Sequence, residues 1–333
     1  MAGSLSHGKT ATTSGELSTS SVTPRKIIQK LKKDVSNLCY KSISESTIKN
    51  YQQKWDVFQT FAHSLELCPY PASSQLINTF IAHLGNRKLQ HSTIKGYLAA
   101  ISFFHKCLGC KPPNINPQAK QILKGVAAST SKKKQSKPID ENLLAKILFN
   151  IKITHPPFQA ILYQAVLSLQ FHACLRIGEL VQSKNPHHIL KYKQVKIKKS
   201  KICLRFKSYK HSQNNKPKIM VAANDNKLIC PVKLVKQYSA IRPQTGKNDH
   251  FFVSDSSQKL SRIQLSNVLK ASLENIGINP KPYNTHSLRS GRATQLYNKQ
   301  CPELLLKNYG RWKSNAYQTY IKFDKISIPK KYR

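Results

Sequence analysis

The apolar residues of this chain keep two different periods, one helical and one strand-like, and few folds accommodate both in the order found here. From Ser44 onward, Tyr51, Trp55, Phe58, Ala62 and Leu65 recur at spacings of four and three, as an amphipathic helix requires. After a break at Pro69 to Ser74 the pattern returns through Leu76, Ile77, Phe80, Ile81 and Leu84, then through Ile94, Tyr97, Leu98, Ile101, Phe104 and Leu108. A shorter stripe follows at Ala119, Ile122, Leu123 and Val126. These stripes predict a small four-helix domain over residues 44–128.

Beyond it, Leu143, Leu144, Ile147, Leu148 and Ile151 predict one helix, and Ile161, Leu162, Ala165, Val166 and Leu169 a second. The period then drops to two. Val195 and Ile197, Ile202, Leu204 and Phe206, and Ile219 and Val221 alternate with polar residues, as half-buried strands do, which predicts a small antiparallel sheet. Helical spacing resumes at Leu265, Val268, Leu269 and Leu273, from Leu288 to Tyr297 and from Tyr317 to Phe323. The expected architecture is mixed but mainly α, a helical N-terminal domain followed by an α+β domain.

The boundaries follow from composition. Residues 1–43 are Ser/Thr/Gly-rich and then Lys-rich, with too little apolar surface to offset ordering entropy, so a disordered tail is expected. Residues 129–138 carry Lys132, Lys133, Lys134 and Lys137 among Ser and Gln and end in a proline, the composition of a basic linker. Residues 139–333 form the second domain. Two domains also suit the length of 333 residues, since a single core stops growing near ~250.

Charge narrows the partners. Fifty-five Lys and Arg against 14 Asp and Glu leave a formal net charge of +41, which calls for a polyanion, with nucleic acid first. A basic packaging protein would share that charge, but it would not need the apolar periodicity of both domains. The eight cysteines are scattered, several inside apolar runs, and no secretory leader is evident, so a reducing intracellular compartment is expected. No apolar run approaches the ~20 residues of a membrane span.

Several motifs fail on context. Gly3 to Thr10 fits the phosphate-loop spacing, but such a loop must follow a buried strand, and two residues precede Gly3. Cys107 and Cys110, with His105 nearby, have zinc-like spacing but lack a second ligand pair, so a reduced structural pair is expected. The histidines show no metalloprotease pairing, and no nucleophile elbow occurs.

Three elements gain meaning in combination. Arg176 lies in Leu175-Arg-Ile-Gly-Glu179 at the start of an expected helix, Arg289 lies three residues after His286, and Tyr320 closes the run Gly310-Arg-Trp-Lys-Ser-Asn-Ala-Tyr-Gln-Thr-Tyr320. Attack on a phosphodiester builds negative charge on non-bridging oxygens, which two guanidinium forks match without losing their protons. A tyrosine hydroxyl gains nucleophilicity from adjacent cations and a positioned base, and its phosphate ester can be attacked again by a DNA hydroxyl. That cycle conserves bond energy and needs no nucleotide cofactor. The departing oxygen needs a proton, and a lysine whose pKa falls near the clamp's charge can supply it; Lys210 is the candidate.

In these residues the chain resembles the tyrosine recombinase, or phage integrase, family from about Ser44 to Phe323. Leu175 to Leu180 is similar to the family's first arginine motif, His286-Ser-Leu-Arg289 to its H-x-x-R box, and Gly310-Arg-Trp312 with Tyr320-Ile321 to its closing segment. The resemblance implies an integrase-like fold with a core-binding domain and a catalytic domain clamping duplex DNA. It gives Arg176 and Arg289 the scissile phosphate, His286 proton transfer, Glu179 a supporting place beside Arg176, and Tyr320 the attack. Lys210 falls where the family's hairpin lysine is expected, although Lys207, Lys216 and Lys218 crowd the same hairpin.

Two departures stand out against the family pattern. Arg311 occupies the position nine residues before Tyr320 where many members carry histidine or tryptophan, and Trp312 follows it; Trp312 is preferred as the phosphate buttress, with Arg311 as the alternative in which it adds a third cation. The run after Tyr320 is short, where many relatives have a further docking helix. Tyr317 is a rival nucleophile on spacing grounds, but its interval from Gly310-Arg-Trp312 is three residues too short for the pattern.

The Gly-Arg-Trp form and the lysine richness are most similar to recombinases of eukaryotic mobile elements, the Crypton and DIRS-like groups. The expectation is therefore a site-specific recombinase acting through a 3′-phosphotyrosyl intermediate in element integration or excision. It would work as a homotetramer on double-stranded DNA, in the nucleus, without metal or cofactor. A domesticated DNA-binding protein lacking strand exchange and a type IB topoisomerase are the alternatives.

Overall fold

The computed structural model describes residues 24–130, 136–182, 188–206, 218–246 and 249–322. Within them lie eleven α-helices and one three-stranded antiparallel sheet. The chain divides into two compact units, the first ending at Lys132 and the second starting at Lys133.

The first unit holds α1 (Pro24–Lys41), α2 (Glu45–His63), α3 (Ser74–Asn86), α4 (His91–Cys107) and α5 (Pro117–Ser129). Side chains stop three of these helices at their N-termini: Ser44, Ser73 and Asn116 accept from the backbone N–H groups of Thr47, Leu76 and Ala119, and Pro117 sits where no donor is needed. The predicted stripes of α2 to α5 meet in one core of Trp55, Phe58, Phe80, Ile94, Ile101 and Phe104 among others, with Trp55 stacked on Phe104 at 5.1 Å.

Helix α1 corrects the expectation of a disordered tail up to residue 43. Ile28, Leu31, Val35 and Leu38 mark a helical face that lysine-rich composition hides, and Tyr40 ties the helix to α4 by lying 6.4 Å from both Phe103 and Phe104. Residues 1–23 lie outside the described residues.

The second unit begins where Lys137 N–H donates to Pro282 O at 2.8 Å and Ile139 N–H to Ser287 O at 3.0 Å, so the end of the expected linker is docked. Helix α6 (Glu141–Thr154), capped by Asp140, leads to α7 (Pro157–His172), which is buried on nearly every side. An apolar helix of that kind belongs at the centre, and α7 packs against α6, α8 (Pro231–Ile241) and α10 (Thr285–Asn298).

Strands β1 (Val195–Ile197), β2 (Lys201–Arg205) and β3 (Lys218–Ala222) form the expected sheet in the order β1-β2-β3. The register opposes Ile197 to Ile202, Ile202 to Val221 and Leu204 to Ile219, so the apolar set shares one face. Lys210, Lys207 and Lys216, in the connection between β2 and β3, lie outside the described residues; Lys218 is the first residue of β3, opposite Arg205.

Helix α9 (Arg262–Asn275) and α11 (Glu303–Gly310) complete the unit. Residues 317–322 do not form the helix expected over 317–323, and Phe323 lies outside the described residues. Ser314 Oγ starts a 3₁₀ turn, Asn315–Thr319, and the Tyr320 N–H donates back to Tyr317 O at 2.9 Å, three residues rather than four. No helix among the described residues is long and apolar enough to cross a membrane.

Candidate active site

Three segments far apart in sequence converge in the second unit. The first is the end of α7. Cys174 takes a left-handed conformation, φ 49°, and Arg176 then caps a 3₁₀ turn, Ile177–Glu179, rather than starting the α-helix expected there. The turn folds Glu179 back, so that its Oε2 accepts from the Arg176 N–H at 2.8 Å.

The second segment is the first turn of α10. Asn284 Oδ1 accepts from His286 N–H at 2.8 Å and fixes the start of the helix. His286, half-buried, and Arg289, fully buried, follow on that helix three residues apart, as their spacing predicted. Gly291 allows the helix to approach Ile139, whose carbonyl oxygen would stand 1.7 Å from a Cβ at that position.

The third segment turns at Arg311, left-handed at φ 57° and ψ 45°, which ends α11 and carries the chain to Trp312, Tyr317 and Tyr320. These residues form a separate small core with Cys174, Ala293 and Leu306.

Arg289 is the centre of the assembly. One terminal nitrogen donates to Cys174 O and the other to Gly310 O at 2.6 Å, so main-chain carbonyls from the other two segments hold its fork. The Trp312 ring lies 4.4 Å from its Cζ and the Tyr320 ring 5.1 Å, with the two rings 5.3 Å apart. Burial pulls the Arg289 pKa down, partly offset by Cys174, and the nearby charges of Arg176 and Arg311 add to the depression.

The four groups Arg289, Trp312, Tyr320 and Arg176 are thus brought into one neighbourhood. Within it, Arg176 Nη1, Arg289 Nε and Trp312 Nε1 are buried donors with no hydrogen-bond acceptor among the described residues. Buried donors without an acceptor are costly and rare, and these, together with Arg292 Nε one turn further along α10, make a neighbourhood that suits a bound acceptor.

Arg311 behaves differently from these residues. Its Nη1 and Nη2 donate to Glu179 Oε1 and Oε2 at 2.9 and 2.8 Å, both side chains being buried. Burial works to raise the Glu179 pKa, but the charge and hydrogen bonds of Arg311, and then Arg176, outweigh it and hold the carboxyl below its usual range. Arg176 Nη1 stays 3.6 Å from Glu179 Oε1. Position 311 therefore meets a carboxylate, and Trp312 is the residue that faces Arg289 and Tyr320.

The two tyrosines also separate. Tyr317 is buried, its hydroxyl engaged by Glu303 and its ring 5.6 Å from Lys307 Nζ, whereas Tyr320 is half-buried.

A further layer lies behind Arg289. Arg292, one turn further along α10, faces Glu141 at 3.6 Å and lies over the rings of Phe171 and Tyr309. The Tyr309 hydroxyl donates to the carbonyl of His172, whose imidazole is buried and held to Asn224 at 3.1 Å. Burial takes the His172 pKa down to about 4. The i, i+3 relation of Arg292 to Arg289 was the one available clue.

Cys107 and Cys110 are both free thiols, as a reduced pair requires, but they are not each other's partners. The Cys107 thiol hydrogen-bonds with the Cys39 thiol, and burial followed by that hydrogen bond pushes its pKa up to about 11. His105 is occupied at both nitrogens, Nδ1 with Ile101 O at 2.8 Å and Nε2 accepting from Ala72 N–H at 2.9 Å. Among the described residues no group of His, Cys, Asp or Glu is arranged to hold a metal ion.

Comparison with known proteins identifies the fold. The phage integrase family model matches residues 138–325, and the model of the phage integrase N-terminal SAM-like domain matches residues 38–109. No curated protein sequence matches the chain.

Among solved structures, the fold is similar to XerH site-specific recombinase bound to its palindromic difH substrate, at 16% identity and a TM-score of 0.63, covering 88% of this chain and 82% of that one. It is similar to a lambda integrase dimer bound to a COC′ core site, at 17% identity and a TM-score of 0.59, covering 90% and 99%. A Tn1549 transposon integrase in complex with circular intermediate DNA gives 14% and 0.59, covering 88% and 96%. At these identities the likeness is one of fold. With more than half of its length under the family model and both of its units matched in order, this chain belongs to the phage integrase family.

Proposed function

We propose that the chain cuts and rejoins duplex DNA at specific sites through a 3′-phosphotyrosyl intermediate. The observation that carries this reading is the set of buried, acceptorless donors on Arg176, Arg289 and Trp312 beside the half-buried Tyr320. A phosphodiester is the acceptor that suits them, because it gains negative charge during attack and these donors are already in place to meet it.

Tyr320 attacks phosphorus, a new P–O bond to its phenolic oxygen forms, and the 5′-oxygen leaves with a proton. Arg176 and Arg289 bind the non-bridging oxygens, Trp312 donates one further hydrogen bond, and His286 takes or returns the nucleophile's proton. Lys210 is the proposed donor to the leaving 5′-oxygen. The resulting ester is attacked by a DNA hydroxyl in the reverse sense, so rejoining needs no cofactor.

The context of the reaction extends the same reading. The likeness to a transposon integrase and the Gly310-Arg-Trp312 sequence support mobile-element integration or excision of the Crypton or DIRS-like kind, on a DNA-bound homotetramer. Lysine runs support nuclear entry, and a tagged chain that stayed in the cytoplasm would oppose it.

The test is trapping on a nicked suicide duplex built from the DNA flanking the encoding locus. The wild-type chain should form a covalent adduct that maps to Tyr320, and Tyr320→Phe should form none. An adduct in Tyr320→Phe, or one mapped to Tyr317, would sink the assignment. Relaxation of supercoils at random sites without synapsis would favour a topoisomerase.

A further inference from the structure

Glu179 lies between two guanidinium groups and satisfies them unequally. Arg311 engages both carboxylate oxygens through a two-bond fork at 2.9 and 2.8 Å. Arg176 donates a single hydrogen bond, from its backbone N–H at 2.8 Å, while its Nη1 makes only a loose ion pair at 3.6 Å, with its side chain 19% exposed. A carboxylate prefers a guanidinium fork wherever one is within reach. With Arg311 absent, Arg176 is the neighbour able to supply it.

We infer that Arg311 is a positioning residue for Arg176: by occupying both oxygens of Glu179 it leaves the Arg176 fork available to the substrate phosphate, and it does not itself touch that phosphate. The inference rests on the phosphoryl-transfer reading above. A third cation for the phosphate is the opposite assignment, and the geometry opposes it, because the buried carboxylate occupies both terminal nitrogens of Arg311.

The backbone of the same turn reinforces the role. Gly310 O, immediately before Arg311, holds Arg289, and Trp312, immediately after it, covers Arg289. Fastening Arg311 to Glu179 therefore ties the segment that carries Trp312 and Tyr320 to the turn that carries Arg176. Their sequence separation of 132 residues means that no local element makes that link.

The test is the interaction between substitutions at 311 and 179. Arg311→Ala should slow single-turnover adduct formation roughly ten- to a hundredfold, less than or equal to the loss of an oxyanion donor. Adding Glu179→Gln removes the charge that captures Arg176 but keeps an acceptor for its backbone N–H. The double variant should regain most of the lost rate. A double variant no faster than Arg311→Ala would overturn the inference. Should Arg311→Ala fail to fold, Arg311→Lys retains the charge without the fork and should show the same rescue by Glu179→Gln.

A second readout does not depend on cleavage. In Tyr320→Phe chains bound to duplex DNA, the slope of log affinity against log salt should fall by about 0.9 for Arg176→Ala, as expected for one lost phosphate contact, and stay unchanged for the Arg311→Ala, Glu179→Gln pair. A fall of about 0.9 in the pair would place Arg311 on phosphate and refute the inference. A wild-type chain that forms no adduct would refute the phosphoryl-transfer reading instead, while the slopes would still decide where Arg311 points.

Discussion

Adding one methyl group to Gly291 should damage this protein, although the same change in an exposed helix usually helps. Gly291 lies in the interior of α10, where alanine is favoured over glycine by roughly 0.5–1 kcal/mol. Against that gain, the added Cβ would stand 1.7 Å from Ile139 O, 2.6 Å from its carbonyl carbon and 3.1 Å from its nitrogen. All three atoms are backbone, so no side chain can rotate away, and the separation must open beyond 3.0 Å.

Overpacking of this kind costs about 1–3 kcal/mol. Opening the gap also strains the Ile139 N–H to Ser287 O bond, itself 3.0 Å long, whose loss is worth about 1 kcal/mol. The net expectation for Gly291→Ala is a loss of about 2–3 kcal/mol, near the upper end of the range because both surfaces are rigid. Since α10 carries His286 and Arg289, adduct formation should fall with it.

Gly125 is the internal control. It lies in α5, exposed, and an added Cβ meets nothing within 4 Å, so Gly125→Ala should stabilise its own unit by about 0.5–1 kcal/mol. Urea denaturation followed by circular dichroism reads both changes as midpoint shifts of opposite sign. Gly291→Ala within about 0.5 kcal/mol of wild type, the usual scatter of neutral substitutions, would refute the close-approach argument.

Other tests reach different layers of the site. His172, with a pKa lowered to about 4, is neutral when folded, whereas the unfolded residue takes a proton below about 6.5; stability from this group is full above 6.5 and lost as pH falls towards 4. The loss is about 3 kcal/mol, and His172→Gln should flatten that part of the pH-stability curve; an unchanged curve would refute it. Trp312→Phe keeps a ring over Arg289 but removes the N–H, and should slow single-turnover cleavage at least about tenfold; a wild-type rate would show that the indole donor is not used. Cys107, held as a thiol by a pKa of about 11, should alkylate with iodoacetamide at pH 8 well behind the exposed Cys68, and equal rates by mass mapping would refute that.

What the sequence disclosed depends on how local each signal is. The stripes of α2 to α5 and the alternation of β1 to β3 repeat within a dozen residues, and both reappear in the structure with their apolar faces inward. The H-x-x-R spacing worked for the same reason, since one turn of α10 carries both residues.

Helix α1 escaped because its apolar stripe is diluted by lysine, so composition outweighed periodicity. Helix α8 begins at Pro231 and α11 spans only Glu303–Gly310, too short for a period to show. The turn at Asn315–Thr319 was read as α-helix because spacings of three and four do not separate the two helix types over five residues. The contest between Arg311 and Trp312 had no local answer. What separates the two residues in the fold is the pairing of Arg311 with Glu179, which no pattern near position 311 announces.

The way Arg289 is held has a further consequence during synthesis. Its fork needs the carbonyl of Cys174, which precedes it, and that of Gly310, which follows it. A nascent chain extended only through α10 already carries both arginines and a large excess of positive charge, and can adhere to nucleic acid. It cannot yet aim Arg289, because the Gly310 carbonyl is not yet present. On the proposed reading, the Arg289 fork is aimed only when the α7 end and the Gly310 segment are both folded against α10, so a chain cut short before Gly310 is expected to hold DNA without breaking a strand.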